Sequence, residues 1–336
     1  MTTFFLNRLA TEPHALAFAG QSTPWPVALA DQTTDPSLDE ALRGHVAAAG
    51  RLLTPVAADL LATTGRPVDL FGFAPNPARL GAAADATASV EGVALTQLGA
   101  LLDLEHLGYS VAQAKPLAVL GHSQGVLAVH MTRAIEAAGS IEAAGTTLDE
   151  ILAVAALIGA AGTRRVRELG LNPKYGEASP MLSVKGATRA QVEALVARVN
   201  NARGPISIAV TNSDNHHVLS GYPEDLAAFA LEAEREHQHQ AKLREQKLHG
   251  GTVFNPTLEY LEVTLPFHSP LMTDAVEQTV AWAGACGFDQ KRTRALAEEV
   301  LLNHVDWNAR VKALFDDADP SKLWIVDLGP GNTLGK

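Results

Sequence analysis

Three short, nearly continuous apolar runs stand out along the chain: HALAFAG at 14 to 20, PLAVL at 116 to 120 and LWIVDLG at 323 to 329. Unbroken apolar runs of this length, rather than alternating ones, are the pattern of parallel strands buried on both faces. Between them the period changes to that of helices. Residues 90 to 107 and 126 to 138 place apolar residues three and four apart, and the alanine-rich stretch 44 to 62, punctuated by Leu and Val, also predicts helix. Strands alternating with helices predict an α/β fold.

The middle of the chain has a different rhythm. From Ser179 to Pro266 the pattern predicts strand (MLSVKG), helix (TRAQVEALVARVN), strand (ISIAVTNS), strand (HHVLSGY), a long polar helix opening at Pro223, and strand (LEYLEVTL). That order, βαββαβ, is ferredoxin-like. The expected organisation is a core of residues 1–178 and 267–336, with residues 179–266 inserted as a small subdomain. No internal repeat is present.

Composition narrows the function classes. At 336 residues and 47% hydrophobic content, the chain can bury a large core. A net charge of -11 argues against nucleic-acid binding, which needs clustered Lys and Arg. No window holds the roughly 18 uninterrupted apolar residues of a membrane span, and the first residues lack the marks of a signal peptide, so a cytoplasmic protein is expected. The single cysteine, Cys286, sits among small apolar residues in WAGACGF and is expected to be a buried structural thiol. No metal site is expected: His237 and His239 are two apart and fall on different helix faces.

The most informative motif is GHSQG at 121 to 125, set between the run PLAVL and the helical pattern VLAVHMTRAI. Strand, GxSxG and helix in that order predict a nucleophile elbow, with glycines where a Cβ would clash and Ser123 presented at a helix N-terminus. A serine needs a base to become a nucleophile. His268, in LEVTLPFHSPLM, is the leading candidate.

The segments GQS (20 to 22), GHSQG, PFHSPLM (266 to 272) and DLGPGNTL (327 to 334) occur in the order and spacing of acyl-CoA:acyl carrier protein transacylases. The chain resembles that superfamily over essentially its whole length. GHSQGVLAVH with LIGAAGT (157 to 163) is most similar to the acetyltransferase domain of actinobacterial type I fatty acid synthases. The chain ends inside the family's closing motif, which leaves an excised domain of a longer polypeptide open.

The resemblance implies an α/β-hydrolase-like core with a parallel sheet and an elbow, plus the ferredoxin-like subdomain. It implies Ser123 as nucleophile, His268 as general base, and the backbone N–H groups of Gln21 and Gln124 as the oxyanion hole. The histidine is oriented by main-chain carbonyls near Asn303, so Asp274 is not required. His122, Ala161, Phe267 and Asn212 are assigned to the acyl pocket. Malonyl-transferring members carry an arginine at the position of Ala161, where it can grip a carboxylate; its absence implies acetyl. The expected reaction carries acetyl from acetyl-CoA to the phosphopantetheine thiol of an acyl carrier protein. No permanently bound cofactor is expected, and the partners are the carrier and other domains of a fatty acid synthase. Lys185, Arg164 and Arg165 are candidates for phosphate or carrier contacts. The alternatives are a malonyl or malonyl/palmitoyl transferase of the same fold, a GxSxG hydrolase (for which no HGGG-type loop is present), and a non-catalytic scaffold.

Overall fold

The computed structural model describes residues 8–9, 11–21, 24–73, 85–171, 178–200, 205–247, 253–316 and 318–331. Strand β1 (His14–Phe18) is followed by helices α1 (Trp25–Gln32), α2 (Pro36–Leu52), α3 (Ala57–Thr64) and α4 (Ala86–His106). Strand β2 (Ala118–Gly121) leads through one 3-10 turn into α5 (Val126–Ala138), and then α6 (Ile141–Glu168). The middle of the chain forms β3 (Met181–Lys185), α7 (Arg189–Val199), β4 (Ser207–Ser213), β5 (His216–Ser220), α8 (Pro223–Glu245) and β6 (Thr257–Tyr260). Helices α9 (Thr273–Ala285) and α10 (Gln290–Leu301), strand β7 (Val305–Asp306), helix α11 (Trp307–Asp316) and strand β8 (Trp324–Asp327) complete it.

The three apolar runs form one parallel sheet in the order β2-β1-β8, with Ala15 opposite both Ala118 and Ile325. All five residues of central β1 are buried, as its unbroken apolar run requires. Beyond the strands, Gln97 of α4 donates to the carbonyls of Ala19 (2.6 Å) and Gly329 (3.0 Å), holding together the chain segments that leave β1 and β8.

The alanine-rich stretch is helical but broken at Pro55, and the chain bends by 56° between α2 and the following helical segment. Proline has no N–H to donate and disfavours helix in the residue before it. Helix α6 is long and apolar enough to cross a membrane by length and composition alone. Here it is a central helix, packed against α2, α4, α5 and α9 with its apolar side chains in the main core.

The smaller sheet has the order β6-β3-β5-β4-β7. Its four strands from the middle of the chain pair antiparallel, in the ferredoxin-like arrangement, and β7 adds in parallel against β4. Strand β6 is shorter than the run LEYLEVTL predicts. It stops at Tyr260 because Leu261 N–H already bonds Met181 O, the first residue of its partner strand. On one face, Leu182, Val184 and Leu219 pack with Leu195, Leu226 and Phe229 into a second core. Strand side chains alternate, so Met181, Ser183 and Lys185 are left for the opposite face.

Candidate active site

The elbow is built at the C-terminal end of β2. Ser123 has φ 53°, in the left-handed region that non-glycine residues rarely occupy, and heads the turn that becomes α5. The turn works only with glycine on either side. A Cβ on Gly121 would sit 2.5 Å from Val126 N, and one on Gly125 would sit 2.8 Å from Ala19 O.

His268 closes the pair. Its Nε2 lies 2.7 Å from Ser123 Oγ, and its Nδ1 lies 2.8 Å from the main-chain oxygen of Asn303. A carbonyl can only accept, so Nδ1 carries the proton and Nε2 is bare to accept from the serine hydroxyl. The segments bearing these groups are joined by Ser269 N–H donating to Leu301 O at 3.1 Å, and Asn303 N–H is tied to Glu298 O at 2.8 Å. His268 too is left-handed, with φ 56°. Such strain persists where the surroundings over-determine it, and it concentrates at functional sites. Burial pushes the His268 pKa down to about 3, against the raising effect of the Asn303 carbonyl. The resting imidazole is therefore neutral, the form a general base requires.

His122, beside the serine, bonds Asn212 Oδ1 through Nε2 at 2.8 Å and stands edge-on to Trp307 at 5.4 Å. Burial pushes its pKa down. Arg310, which the sequence reading did not single out, donates to Gly121 O at 2.7 Å and braces the elbow from α11. Ser123 opens onto a cleft of about 830 Å³ that runs along the free face of the smaller sheet. Ser123, Gln21, His122, Asn212 and Phe267 all line it.

Residues 180–260 match the family model described as the fatty acid synthase central AT domain. Among curated proteins, the chain is 26% identical over 251 residues to the fatty acid synthase beta subunit TOXC of Cochliobolus carbonum, covering 64% of this chain and 12% of that protein. It is 29% identical over 168 residues to fatty acid synthase 2 of Mycosarcoma maydis, covering 47% of this chain and 4% of that protein. The chain thus spans a small part of the length of these relatives. Among solved structures, the malonyl CoA-acyl carrier protein transacylase of Coxiella burnetii superposes with a TM-score of 0.63 at 17% identity, covering 96% of this chain and 89% of that one. The malonyl-transacylase solved with a type II polyketide synthase acyl-carrier protein gives 0.65 at 16% identity, covering 96% and 91%. This is the acyl-carrier-protein transacylase fold.

Within the transacylase fold, the two glutamines assigned to the oxyanion hole are held by the same turn of α4. Gln21 donates through its side chain to Ser89 Oγ, and Gln124 donates to Ser89 O and Val90 O at 3.4 Å each. Their side-chain amide N–H groups are thereby occupied, while both amide oxygens are buried without a hydrogen-bond partner among the described residues. Gln124 lies in the first turn after the nucleophile, where helical N–H groups lack an intrahelical acceptor. Ser22 of GQS, and residues 332 to 334 of the closing motif, lie outside the described residues.

Ala161 requires a correction. It is only 1% exposed, belongs to the main core, and is absent from the described cleft lining. The segment after β6 stands between α6 and the cleft. Val263 and Phe267 line the cleft, whereas Leu265 between them turns back against Gly162 of α6. Shape at the acyl end therefore comes from Phe267 and Val263. Ala161→Arg would place an unpaired guanidinium in the core, at a cost on the order of several kcal/mol. A clearly lowered melting temperature is expected in thermal unfolding; an unchanged one would mean the position opens to the cleft after all.

Of the basic candidates, only Lys185 lines the cleft. Arg164 pairs with Glu168 at 3.0 Å; Arg165 donates to Leu271 O and pairs with Asp274 at 2.9 Å, which also accounts for Asp274. Cys286, expected buried, is half-buried at the end of α9, and burial pushes its thiol pKa up. His237 bonds the Phe254 carbonyl through Nδ1 at 2.7 Å. Ser183 and His216, both in the cleft and 3.0 Å apart, escaped the sequence reading. Period-two alternation along β3 and β5 was the signal that could have found them.

Proposed function

We propose that this protein is an acyltransferase that carries an acyl group from coenzyme A, through an ester on Ser123, to the phosphopantetheine thiol of an acyl carrier protein. The observation that carries the reading is the 2.7 Å contact between Ser123 Oγ and a neutral His268 whose other nitrogen is fixed by a carbonyl. As Ser123 Oγ attacks the thioester carbon, its proton passes to His268 Nε2. The N–H groups of Gln21 and Gln124 receive the oxyanion. Collapse breaks the carbon–sulfur bond, and the thiolate leaves with the proton from Nε2. The carrier thiol then runs the same steps in reverse, regenerating Ser123.

Acetyl is our reading of the acyl group, supported by the lack of any arginine among the described residues lining the cleft. A buried carboxylate without a partner is strongly disfavoured. Malonyl is the second reading, favoured by the likeness to malonyl transacylases. The matches to fatty acid synthases support a place among the domains of such a multienzyme, and cytoplasmic action goes with that reading.

Intact mass measurement after mixing with acetyl-CoA or malonyl-CoA tests chemistry and acyl group together. The adduct is expected to persist in water and to discharge within the mixing time when pantetheine or holo-carrier is added. Steady release of free acid, unaffected by added thiol, would identify a hydrolase instead.

A further inference from the structure

The cleft has a polar end that acyl transfer at Ser123 does not use. Lys185 stands there, at the end of β3 and opposite His216 of β5. In the sheet order β3-β5-β4, one strand separates Lys185 from the strand of Asn212, which is bonded to His122 beside the nucleophile. Neighbouring strands lie ~4.8 Å apart, which puts the lysine strand on the order of 10 Å across the sheet from the Asn212 strand. His216, on the intervening strand, lines the cleft between them and bonds Ser183. Ser123 and Lys185 thus line one groove, on elements set apart across the sheet.

Lys185 is the one lysine or arginine among the described residues lining that groove. Its partner is Glu259, 3.4 Å away, and the two side chains are 50% and 64% exposed. An ion pair so exposed contributes little and is readily exchanged for a more strongly charged anion. Any acyl group carried on phosphopantetheine brings such an anion, at the end of the arm remote from the thioester.

We propose that Lys185 binds the phosphate that ends the pantetheine arm, a group common to coenzyme A and to the holo-carrier, and that Glu259 holds the ammonium in place until that phosphate displaces it. This rests on the acyl-transfer reading of Ser123. A contact remote from the reacting atoms adds to ground and transition state alike, so its loss raises KM and spares kcat.

The test compares loading of Ser123 from acyl-pantetheine, acyl-4′-phosphopantetheine and acyl-CoA, using whichever of acetyl or malonyl loads the wild type faster. For Lys185→Gln, KM is expected to rise about threefold to tenfold for both phosphate-bearing donors and to stay unchanged for acyl-pantetheine. Glu259→Gln should lower KM for the same two donors, and Lys185→Arg should keep it near wild type. A rise confined to acyl-CoA would assign Lys185 to the nucleotide phosphates and overturn the shared-phosphate site. An equal rise with acyl-pantetheine, or no rise with any donor, would overturn phosphate recognition. Failure of the wild type to form a Ser123 adduct from acyl-CoA would defeat the acyl-transfer reading itself.

Discussion

Ser123→Ala is expected to abolish the acyl adduct and to lower carrier acylation by roughly 10⁴-fold or more, because no covalent intermediate can form. The variant should nonetheless fold. What it loses is one hydrogen bond, Ser123 Oγ to His268 Nε2, and a small side chain whose backbone is held by its surroundings rather than by the hydroxyl. Leaving the buried His268 Nε2 unpaired costs about 1–3 kcal/mol, visible in a thermal melt but small for a core of this size. Peptide mapping after incubation with acyl-CoA completes the measurement. An adduct that survives the substitution, or maps to the half-buried Cys286, would remove Ser123 from the mechanism.

Much of this arrangement was legible in the chain because its signals are local. GHSQG announces its own backbone: the two glycines are needed where neighbouring main chain leaves no room, and PLAVL and VLAVH supply the strand and helix the turn must join. The βαββαβ order could be read because its strands are short and the long helix opening at Pro223 has an obvious start. The end of β6 could not be read, since it is decided by where β3 begins, a pairing about 80 residues away that leaves no mark on LEYLEVTL itself. The break at Pro55 was visible in principle, as proline bears on its own helix.

The site divides along the same line. Ser123 and His268 sit in distinctive strings, whereas Ala161 was placed by alignment on LIGAAGT alone. Nothing in that string says that Leu265 turns inward between Val263 and Phe267 and separates α6 from the cleft. Arg310 was invisible for the opposite reason. It lies in an ordinary amphipathic helix, and its importance comes wholly from meeting Gly121 O, 189 residues earlier.

Replacing His268 with alanine should lower the rate of Ser123 acylation by about 10²–10⁴-fold, the usual loss when a general base is removed. Less is lost than with Ser123, since the nucleophile and the oxyanion donors remain and hydroxide or solvent can take the proton. The pH profile distinguishes removal of a base from a mere packing defect. In the wild type, burial holds the His268 pKa at about 3, so the neutral base persists well below the ordinary histidine range and acylation should show no acid limb near pH 6.5. What limits the wild type in acid is the fold. In the unfolded chain the same imidazole takes up a proton near pH 6.5, so the stability that goes with keeping it neutral is complete above that pH and is lost progressively toward pH 3. His122, also lowered by burial, acts in the same direction. His268→Ala should therefore acylate slowly, with a rate that rises with hydroxide concentration, and its stability should depend less steeply on pH between 6.5 and 3 than that of the wild type. If the variant instead acylates at the wild-type rate with a flat profile, His268 is structural and another group near Ser123 holds the base's role.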